Sequence, residues 1–231
     1  SGVQSEIVRA ARTLGVHTVP RVVITHPDID HFGAILDIAR PLGVREVLTC
    51  RRFLDEAKQR PRGSAAAAVG ALARAGITLR ALAAGDSVAL GDCTLSILSP
   101  AADAEFELDN DHSLVAAITA GDAATEEPFF LFTGDVQDAA IASLRERQPG
   151  LRPRAMELPH HGSARAEAIR WVGDLDPGVV LQSAGARNAR DLRWDHLRTG
   201  RAWLCTATEG ACYVEFGAGR VKAGSLRPRR D

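Results

Sequence analysis

The chain has almost no lysine and no long apolar run. Of its 28 basic residues only Lys58 and Lys222 are lysine, and the rest are arginine. Arginine binds phosphate in a bidentate fork better than lysine does, but a compositional bias of the source genome has the same result, and we favour that explanation. No apolar stretch reaches the roughly 18 residues of a membrane-spanning helix, and the amino terminus lacks the charged-then-apolar order of a signal peptide.

Closely paired cysteines, which would indicate a metal-binding or redox motif, are also missing. The four cysteines, at 50, 93, 205 and 212, have no C-x-x-C spacing. Cys205 and Cys212 flank a Thr-Glu-Gly turn between two predicted strands and are placed to face each other. We favour the simpler interpretation of four small buried hydrophobic residues. The cysteines therefore leave the redox compartment undecided.

An excess of charge is absent as well. The formal net charge of -1 excludes a basic field over the whole protein, so nucleic acid would have to meet a local patch. The segment 40–62 is the best local candidate, because it has seven basic residues against three acidic ones. Such a run is more often a solvated face. The loop 101–111, with five carboxylates, would repel DNA unless a cation intervened.

The chain does have a regular alternation of strand-like and helix-like segments. Its 231 residues, 45% of them hydrophobic, are enough for one large domain. Apolar strand-like runs such as 22–25 are followed by helix-periodic stretches such as 33–39, in both halves of the chain. This alternation predicts an α/β fold with two mixed sheets face to face and helices outside. Since we find no internal repeat and no linker, we predict one domain at 1–216 and a basic C-terminal tail at 217–231.

The densest group of reactive side chains is His26-Pro27-Asp28-Ile29-Asp30-His31. It lies between an apolar strand and an apolar helix. Pro27 keeps His26 extended, so His26 and Asp28 leave the strand end on the same side, while Asp30 and His31 lie at the helix start. Each residue alone has an ordinary explanation, as an N-cap, a turn former or a core histidine. Four metal-competent side chains in six residues instead favour two adjacent metal ions, one for each pair.

Three later stretches offer further candidates. Asp135 follows an apolar strand, as the first motif does, and is either a metal ligand or the N-cap of the helix 137–147. His160 and His161 lie on a rigid turn between a proline and a glycine and cannot both reach one ion with equal ease. One is therefore predicted to be a ligand and the other an outer contact or a general acid. His112 is either a ligand or the uninvolved start of the next strand.

Together these stretches resemble the metallo-β-lactamase superfamily. His26-x-Asp28-x-Asp30-His31 is similar to its first metal motif, in the variant where the second histidine is an aspartate. The stretches 110–115, 131–136 and 158–163 resemble, in order and spacing, later motifs of the soluble domain of ComEC-type competence proteins, which are bacterial DNA-uptake channels. The resemblance covers about residues 1–216. It implies the metallo-β-lactamase-like αββα sandwich, and a soluble domain on the outer face of the bacterial cytoplasmic membrane.

The resemblance also implies a site. Asp135 would be the bridging aspartate and His161 the ligand of the histidine pair. Two divalent ions, zinc or manganese, would be held by His26, Asp28, Asp30, His31, Asp135 and His161, with His112 as an open addition. Such ions lower the pKa of bound water from roughly 15.7 to about 7 and so supply a hydroxide nucleophile. Asp30 and Asp135 would orient it, and His160 would protonate the leaving alkoxide.

The predicted function is therefore hydrolysis of a phosphodiester, without a nucleotide cofactor. Single-stranded DNA as the substrate, and a membrane channel as the remainder of a longer polypeptide, are implied by the resemblance alone. The chain departs from the family in two places. It lacks the family's opening β-hairpin, which we attribute to the sequence being a fragment. It also lacks the histidine-proline pair that the competence branch tends to have after Asn188.

Residues 189–196 replace that pair, and His196 among them is predicted to be a surface or packing residue, as is His17. Two alternative functions stay open. One is a hydrolase of small esters or phosphocholine-type substrates on the same metals. The other is a catalytically degenerate structural or docking domain of a membrane DNA channel, which the two departures favour and the intact first motif opposes.

Overall fold

The computed structural model of the protein describes residues 2–120, 128–217 and 220–226. The chain divides into two compact units, Ser1–Ala83 and Ala84–Asp231. Each unit contains a sheet and several helices, so the predicted α/β class is confirmed. The predicted domain boundary at residue 216 stays a prediction.

The first unit is built on a three-stranded sheet in the order β1-β2-β3. Its strands are β1 (Arg21–Ile24), β2 (Glu46–Cys50) and β3 (Thr78–Leu82), and its helices are α1 (Gly2–Thr13), α2 (Ile29–Phe32), α3 (Ile35–Ala39), α4 (Arg51–Gln59) and α5 (Ser64–Arg74). All pairings are parallel, because every connection between these strands includes helices. The sequence analysis predicted two mixed sheets. The sheet of the first unit is instead purely parallel.

Two local predictions in this unit need correction. The helix predicted at 33–39 begins two residues later, as α3 at Ile35, and a separate short helix, α2, precedes it and ends before Gly33. The strand β3 was not predicted, because its apolar and polar residues do not alternate cleanly and Arg80 is exposed.

The core of the first unit fixes the helix that follows β1. Phe53 on α4 is fully buried, and its ring meets that of Phe32 on α2 edge to face, with ring centroids 5.2 Å apart. Leu72 on α5 is also fully buried. Because α2 carries Asp30 and His31, the packing of Phe32 sets the position of half of the first motif.

The second unit is built on a seven-stranded mixed sheet in the order β10-β9-β8-β7-β6-β5-β4. Its strands are β4 (Ser87–Leu90), β5 (Cys93–Ser99), β6 (Val115–Ala120), β7 (Phe130–Phe132), β8 (Ala155–Glu157), β9 (Val179–Gln182) and β10 (Ala202–Cys205). The pairings from β4 to β7 are antiparallel, and those from β7 to β10 are parallel. The carboxyl ends of β7 to β10 therefore meet at one edge of the sheet.

Helices and a hairpin complete this unit. The helices are α6 (Asp138–Arg147), α7 (Ala166–Leu175), α8 (Ala186–Ala189), α9 (Asp195–Arg198) and α10 (Thr206–Glu209), and 3₁₀ helices lie at Asp109–His112, Pro159–Gly162 and Leu192–Trp194. The core between α6, α7 and the sheet includes the buried Trp171 and Trp194. The turn predicted at 185–188 is thus replaced by α8.

The strands β11 (Cys212–Gly217) and β12 (Arg220–Ser225) form a separate antiparallel sheet. Their side chains Phe216 and Val221 pack against the core residues Phe130 and Ala155. β12 lies in the region predicted as a solvated basic tail, of which residues 218–219 and 227–231 are outside the described residues. This strand forms because residues 221 and 223 contribute apolar side chains to that packing.

The predicted burial of the cysteines is confirmed for two of the four. All four are free; Cys50 and Cys205 are buried, whereas Cys93 and Cys212 are only partly buried. Burial raises the pKa of the Cys50 thiol to about 11, so it stays protonated at neutral pH. Within the described ranges, each helix is too short or too polar for a membrane crossing.

We expect Phe53→Ala to lower the free energy of unfolding by about 3–5 kcal/mol, because it removes a fully buried ring and leaves a cavity beside Phe32. Urea denaturation measures the loss. The matched control is Leu36→Ala on α3, where the side chain is 44% exposed and a change within about 0.5 kcal/mol is expected. Equal effects from the two substitutions would contradict the assigned core.

Candidate metal centre

The predicted site residues fall into two groups, one in each unit. The first unit holds His26, Asp28, Asp30 and His31, directly after β1, and the second holds His112, Asp135, His160 and His161 around the strand ends of the mixed sheet. His196 and His17 are exposed, as surface residues should be.

A threonine hydroxyl orients the two histidines of the first unit. Thr25 Oγ1 lies 3.0 Å from Nδ1 of His26 and 3.4 Å from Nδ1 of His31. The two rings are close neighbours, with centroids 4.1 Å apart. Since a hydroxyl has two lone pairs and one hydrogen, Thr25 is able to satisfy both ring nitrogens at once. This leaves the Nε2 atoms of the two rings to point elsewhere.

Each Nε2 is directed at a carboxylate of the same motif. His26 Nε2 lies 3.5 Å from Asp28 Oδ2, and His31 Nε2 lies 3.8 Å from Asp30 Oδ2. Asp28 holds the N-cap position of α2, but its side chain makes no capping hydrogen bond, and Asp30 lies within the first turn. Neither carboxylate therefore has the simple capping role that the sequence left open.

In the second unit, a hydrogen bond from its backbone N–H fixes the position of Asp135. Its N–H donates to the hydroxyl of Ser113 at 3.1 Å, and the side chain is almost fully buried. Gly134 turns the chain just before it, with a φ of 51°. The alternative role of Asp135 as N-cap is wrong, because α6 begins at Asp138 and its N-cap residue is Gln137.

Asp111 caps α6 in its place. Its Oδ1 accepts hydrogen bonds from the backbone N–H groups of Gln137 at 2.7 Å and Ala140 at 3.3 Å, and its side chain is 2% exposed. Asp111 is therefore an internal cap and not part of a DNA-repelling surface loop. The neighbouring His112 has its Nε2 3.2 Å from the carbonyl oxygen of Phe106 and its ring against that of Phe106.

The two adjacent histidines sit on an unusual turn. His160 has a φ of 47°, His161 a φ of 55° and Gly162 a φ of 77°. Residues with a side chain rarely adopt this left-handed backbone conformation. Each non-glycine residue in it raises the free energy of the folded state by about 1–3 kcal/mol. Three such residues in succession need strong support from their surroundings.

Hydrogen bonds to the backbone provide that support. The N–H of His160 donates to the carbonyl of Gly134 at 3.0 Å, which ties this turn to the Asp135 turn. The carbonyl of His161 accepts from the Asn188 side chain at 3.2 Å, and that of Gly162 accepts from the Trp194 indole at 2.9 Å. The turn is thereby fixed from both sides.

The turn directs both rings toward Asp135. His161 Nε2 lies 3.4 Å from Asp135 Oδ2, and His160 Nε2 lies 3.9 Å from the same atom. His161 Nδ1 faces the carbonyl oxygen of Ser183 at 3.0 Å. A carbonyl only accepts, so in the neutral ring Nδ1 carries the hydrogen and Nε2 keeps its lone pair. His160 Nδ1 is buried and has no hydrogen-bond partner within the described part of the chain.

The donor set of each unit suits divalent metal ions. Imidazole nitrogens and carboxylate oxygens are ligands of zinc and manganese, and in each unit an Nε2 atom lies 3.4–3.8 Å from a carboxylate oxygen. Metal-binding histidines almost always donate their second ring N–H to a protein oxygen. The Thr25 and Ser183 contacts are of that kind.

Sequence reasoning missed the residues that support these side chains. Thr25 and Ser113 adjoin predicted ligands in the sequence, so a search for hydroxyls beside the motifs would have found them. Asn188 and Trp194 gave no such signal, because they lie 27 and 32 residues from the carbonyl groups that they bind. Gln182 is fully buried, with its amide between Trp203 and the carbonyl of Asn188.

We expect Gly162→Ala to destabilise the protein by about 2 kcal/mol or more, from a left-handed backbone and an overpacked site. A Cβ there would lie 2.3 Å from Gln182 Nε2 and 2.9 Å from Leu158 Cδ2. Gly185→Ala is the matched control, since Gly185 has a φ of -78° and open space at the Cβ position. Urea unfolding midpoints compare the two, and a Gly162→Ala protein as stable as the control would disprove the turn geometry.

Comparisons with known proteins agree with this description. No family model matches the chain. It is 22% identical over 174 residues to ComE operon protein 3 of Bacillus subtilis (strain 168), covering 75% of this chain and 21% of that protein. It is 27% identical over 124 residues to the uncharacterized protein YcaI of Escherichia coli (strain K12), covering 51% of this chain and 16% of that protein. The chain thus spans about a fifth or less of these two relatives.

Solved structures establish the fold. A mutant of the β-hydroxylase CmlA matches with a TM-score of 0.55 and 15% identity, over 82% of this chain and 43% of CmlA. The metallo-β-lactamase fold protein YhfI of Bacillus subtilis matches with a TM-score of 0.50 and 11% identity, over 94% and 83% of the two chains. Tm1679, a metal-dependent hydrolase of the β-lactamase superfamily, matches with a TM-score of 0.50 and 12% identity, over 86% and 80%. As its motifs predict, the chain has the metallo-β-lactamase fold and a sequence similar to that of ComE operon protein 3.

Proposed function

We propose that the chain is a metal-dependent phosphodiesterase that cleaves single-stranded DNA in connection with DNA uptake. The proposed cofactor is a pair of divalent ions, zinc or manganese. The proposed ligands are His26, Asp28, Asp30, His31, Asp135 and His161. His112 is left out of this set because its Nε2 lies against the backbone of Phe106.

One observation carries this proposal, and it recurs at three imidazoles. In His26, His31 and His161, Nδ1 lies beside a protein oxygen and Nε2 lies beside a carboxylate. Unrelated packing of three separate histidines would not be expected to produce the same orientation three times. The arrangement is typical of metal ligands, whose outer hydrogen bond sets the tautomer and the ring direction.

The residues of the chain divide the chemistry between them. When bound, the ions lower the pKa of water to about 7 and polarise the phosphoryl oxygens. Asp30 and Asp135 accept hydrogen bonds from the attacking water and orient it. His160, whose side chain is 31% exposed and whose Nε2 lies 3.9 Å from Asp135, would give a proton to the leaving oxygen.

The substrate is inferred from the relatives. The similarity to ComE operon protein 3 extends over three quarters of the chain, and the motifs resemble those of competence proteins that import DNA. We propose that the chain acts beside the membrane channel of a longer polypeptide, on the outer face of the bacterial cytoplasmic membrane. Fold alone does not fix a substrate, so the choice of DNA depends on these resemblances.

We expect Asp30→Ala and Asp135→Ala each to lower the cleavage of a labelled single-stranded oligonucleotide at least about 100-fold, because each removes a metal ligand and a contact to the attacking water. Bound metal, measured by elemental analysis, should fall from two ions per chain, and the circular dichroism spectrum should stay unchanged. Asp37→Ala and Asp92→Ala, which remove exposed carboxylates outside the site, are the matched controls.

The same assay separates the alternatives. Cleavage of a chromogenic phosphodiester but not of the oligonucleotide, with manganese or zinc present, would favour the small-ester hydrolase. A wild-type protein without stoichiometric metal would favour the structural or docking domain. Full turnover in either aspartate variant would show that the ligand assignment is wrong.

We further expect Thr25→Val to weaken metal binding about 10–100-fold, because valine keeps the shape of threonine but leaves both Nδ1 atoms without their oxygen. Competition with a chromophoric chelator measures the metal affinity directly, without an activity assay. Thr25→Ser, which keeps the hydroxyl, should bind metal nearly as the wild type does. Equal metal affinity for the valine and serine variants would exclude Thr25 as a positioning residue.

A further inference from the structure

A short segment of the second unit is fastened to the histidine turn at both of its ends. Asn188 binds the carbonyl of His161, and Trp194 binds the carbonyl of Gly162. Trp194 is fully buried. We name the residues 187–193 the arginine segment. Its backbone position is set by the same turn that orients His160 and His161.

The arginine segment presents unbalanced positive charge. Arg187 and Arg190 are both exposed, and the structure shows no ion pair for either of them within its described ranges. Arg193 differs, because its guanidinium binds Asp191 through Nε at 2.9 Å and Nη2 at 2.6 Å. That hydrogen bond lowers the pKa of Asp191 to about 2, so this pair stays neutral overall at physiological pH. The net charge of the segment is therefore carried by Arg187 and Arg190.

An exposed apolar side chain follows these two arginines in the sequence. Leu192 is 74% exposed, the largest value among the exposed large hydrophobic residues of the described chain. An arginine pair beside an exposed apolar side chain suits a ligand that is both polyanionic and partly apolar. Single-stranded nucleic acid has this character, because it offers phosphates on one side and unpaired bases on the other.

The basic run that the sequence singled out is less suited to this role. In the segment 40–62, Arg51 and Lys58 pair with Asp55, and Arg60 pairs with Glu56. Three of its seven cations are thus matched by carboxylates on the same helix. The arginine segment has fewer cations in total, but its two unpaired ones flank Asn188 in the sequence, and Asn188 binds the histidine turn.

We infer that the arginine segment is a binding platform for the phosphate backbone of single-stranded nucleic acid, with Arg187 and Arg190 contacting phosphates and Leu192 contacting a base or sugar. This inference rests on the proposed function and names residues that hold its substrate. Asn188 and Trp194 bind the carbonyl groups of His161 and Gly162. A nucleic-acid strand bound to the arginine segment would therefore pass the histidine turn.

The test is the binding of a labelled oligothymidylate by the purified protein, followed by fluorescence anisotropy over a range of salt concentrations. Each phosphate contact on a single strand contributes about 0.7 to the slope of log affinity against log salt. We expect Arg187→Gln/Arg190→Gln to lose about 1.4 from this slope and at least about tenfold in affinity at low salt. Leu192→Ser should lower the affinity but leave the salt slope unchanged.

Arg152→Gln/Arg220→Gln is the matched control, since both arginines are exposed residues of the same unit outside the segment. Its slope should equal that of the wild type. If the wild type cleaves the oligonucleotide and the salt slope of Arg187→Gln/Arg190→Gln equals that of the wild type, this inference is overturned and the proposed function still stands. An equal loss in the control pair, or binding of phosphatidylglycerol vesicles in place of the oligonucleotide, would also overturn it. If the wild type hydrolyses only the chromogenic ester, both this inference and the proposed cleavage of single-stranded DNA are wrong.

Discussion

The left-handed turn at His160, His161 and Gly162 is the constraint on which the arrangement of the second unit's candidate ligands depends. Two histidines at positive φ cost about 1–3 kcal/mol each, so the turn persists only because other groups hold it. The amide of Asn188 and the indole of Trp194 bind two of its carbonyls, and the carbonyl of Gly134 accepts the N–H of His160. Each of these bonds contributes about 1 kcal/mol, comparable to the strain. The geometry that directs both rings at Asp135 is therefore stabilised by residues outside the proposed ligand set.

The same principle applies in the first unit, where the support is a single hydroxyl. Thr25 Oγ1 lies beside the Nδ1 atoms of His26 and His31 and so leaves both Nε2 atoms on the side of the carboxylates. Ser113 fixes the backbone of Asp135 in a comparable way. Thr25 directly follows β1, and Ser113 lies two residues before β6. They show why a cluster of metal-competent side chains becomes a defined site only when outer contacts choose one orientation of each ring.

The parts of this structure that were predictable from sequence are those that depend on local pattern. Residues that are close in the sequence determine the strand β1, the turn at Pro27 and the start of the following helix. The position of His26 and Asp28 at a strand end was therefore predictable. The alternation of strands and helices likewise predicted most elements and the α/β class. The capping of α6 by Asp111 was not predictable, because the donors at Gln137 and Ala140 are more than 25 residues away. The strand β12 was missed for a related reason, since its pairing with β11 and its packing against Phe130 decide its structure more than its own short sequence does.

Local charge, and not net charge, decides which ligand such a protein is able to meet. A formal charge of -1 leaves no long-range field to attract a polyanion, and the proposed ligand set is itself rich in carboxylates. Attraction must then come from cations that no neighbouring carboxylate neutralises, at a place fixed relative to the histidines. Arg193 fails this condition because Asp191 binds it in a bidentate contact, and much of the run at 40–62 fails it through pairs along α4. Arg187 and Arg190 meet it, and they do so because Asn188, which lies between them, is bound to the backbone of His161. The residue that holds the strained turn therefore also sets where the unpaired positive charge lies. In our proposal this couples the orientation of the His160 and His161 rings to the place where a phosphate chain binds.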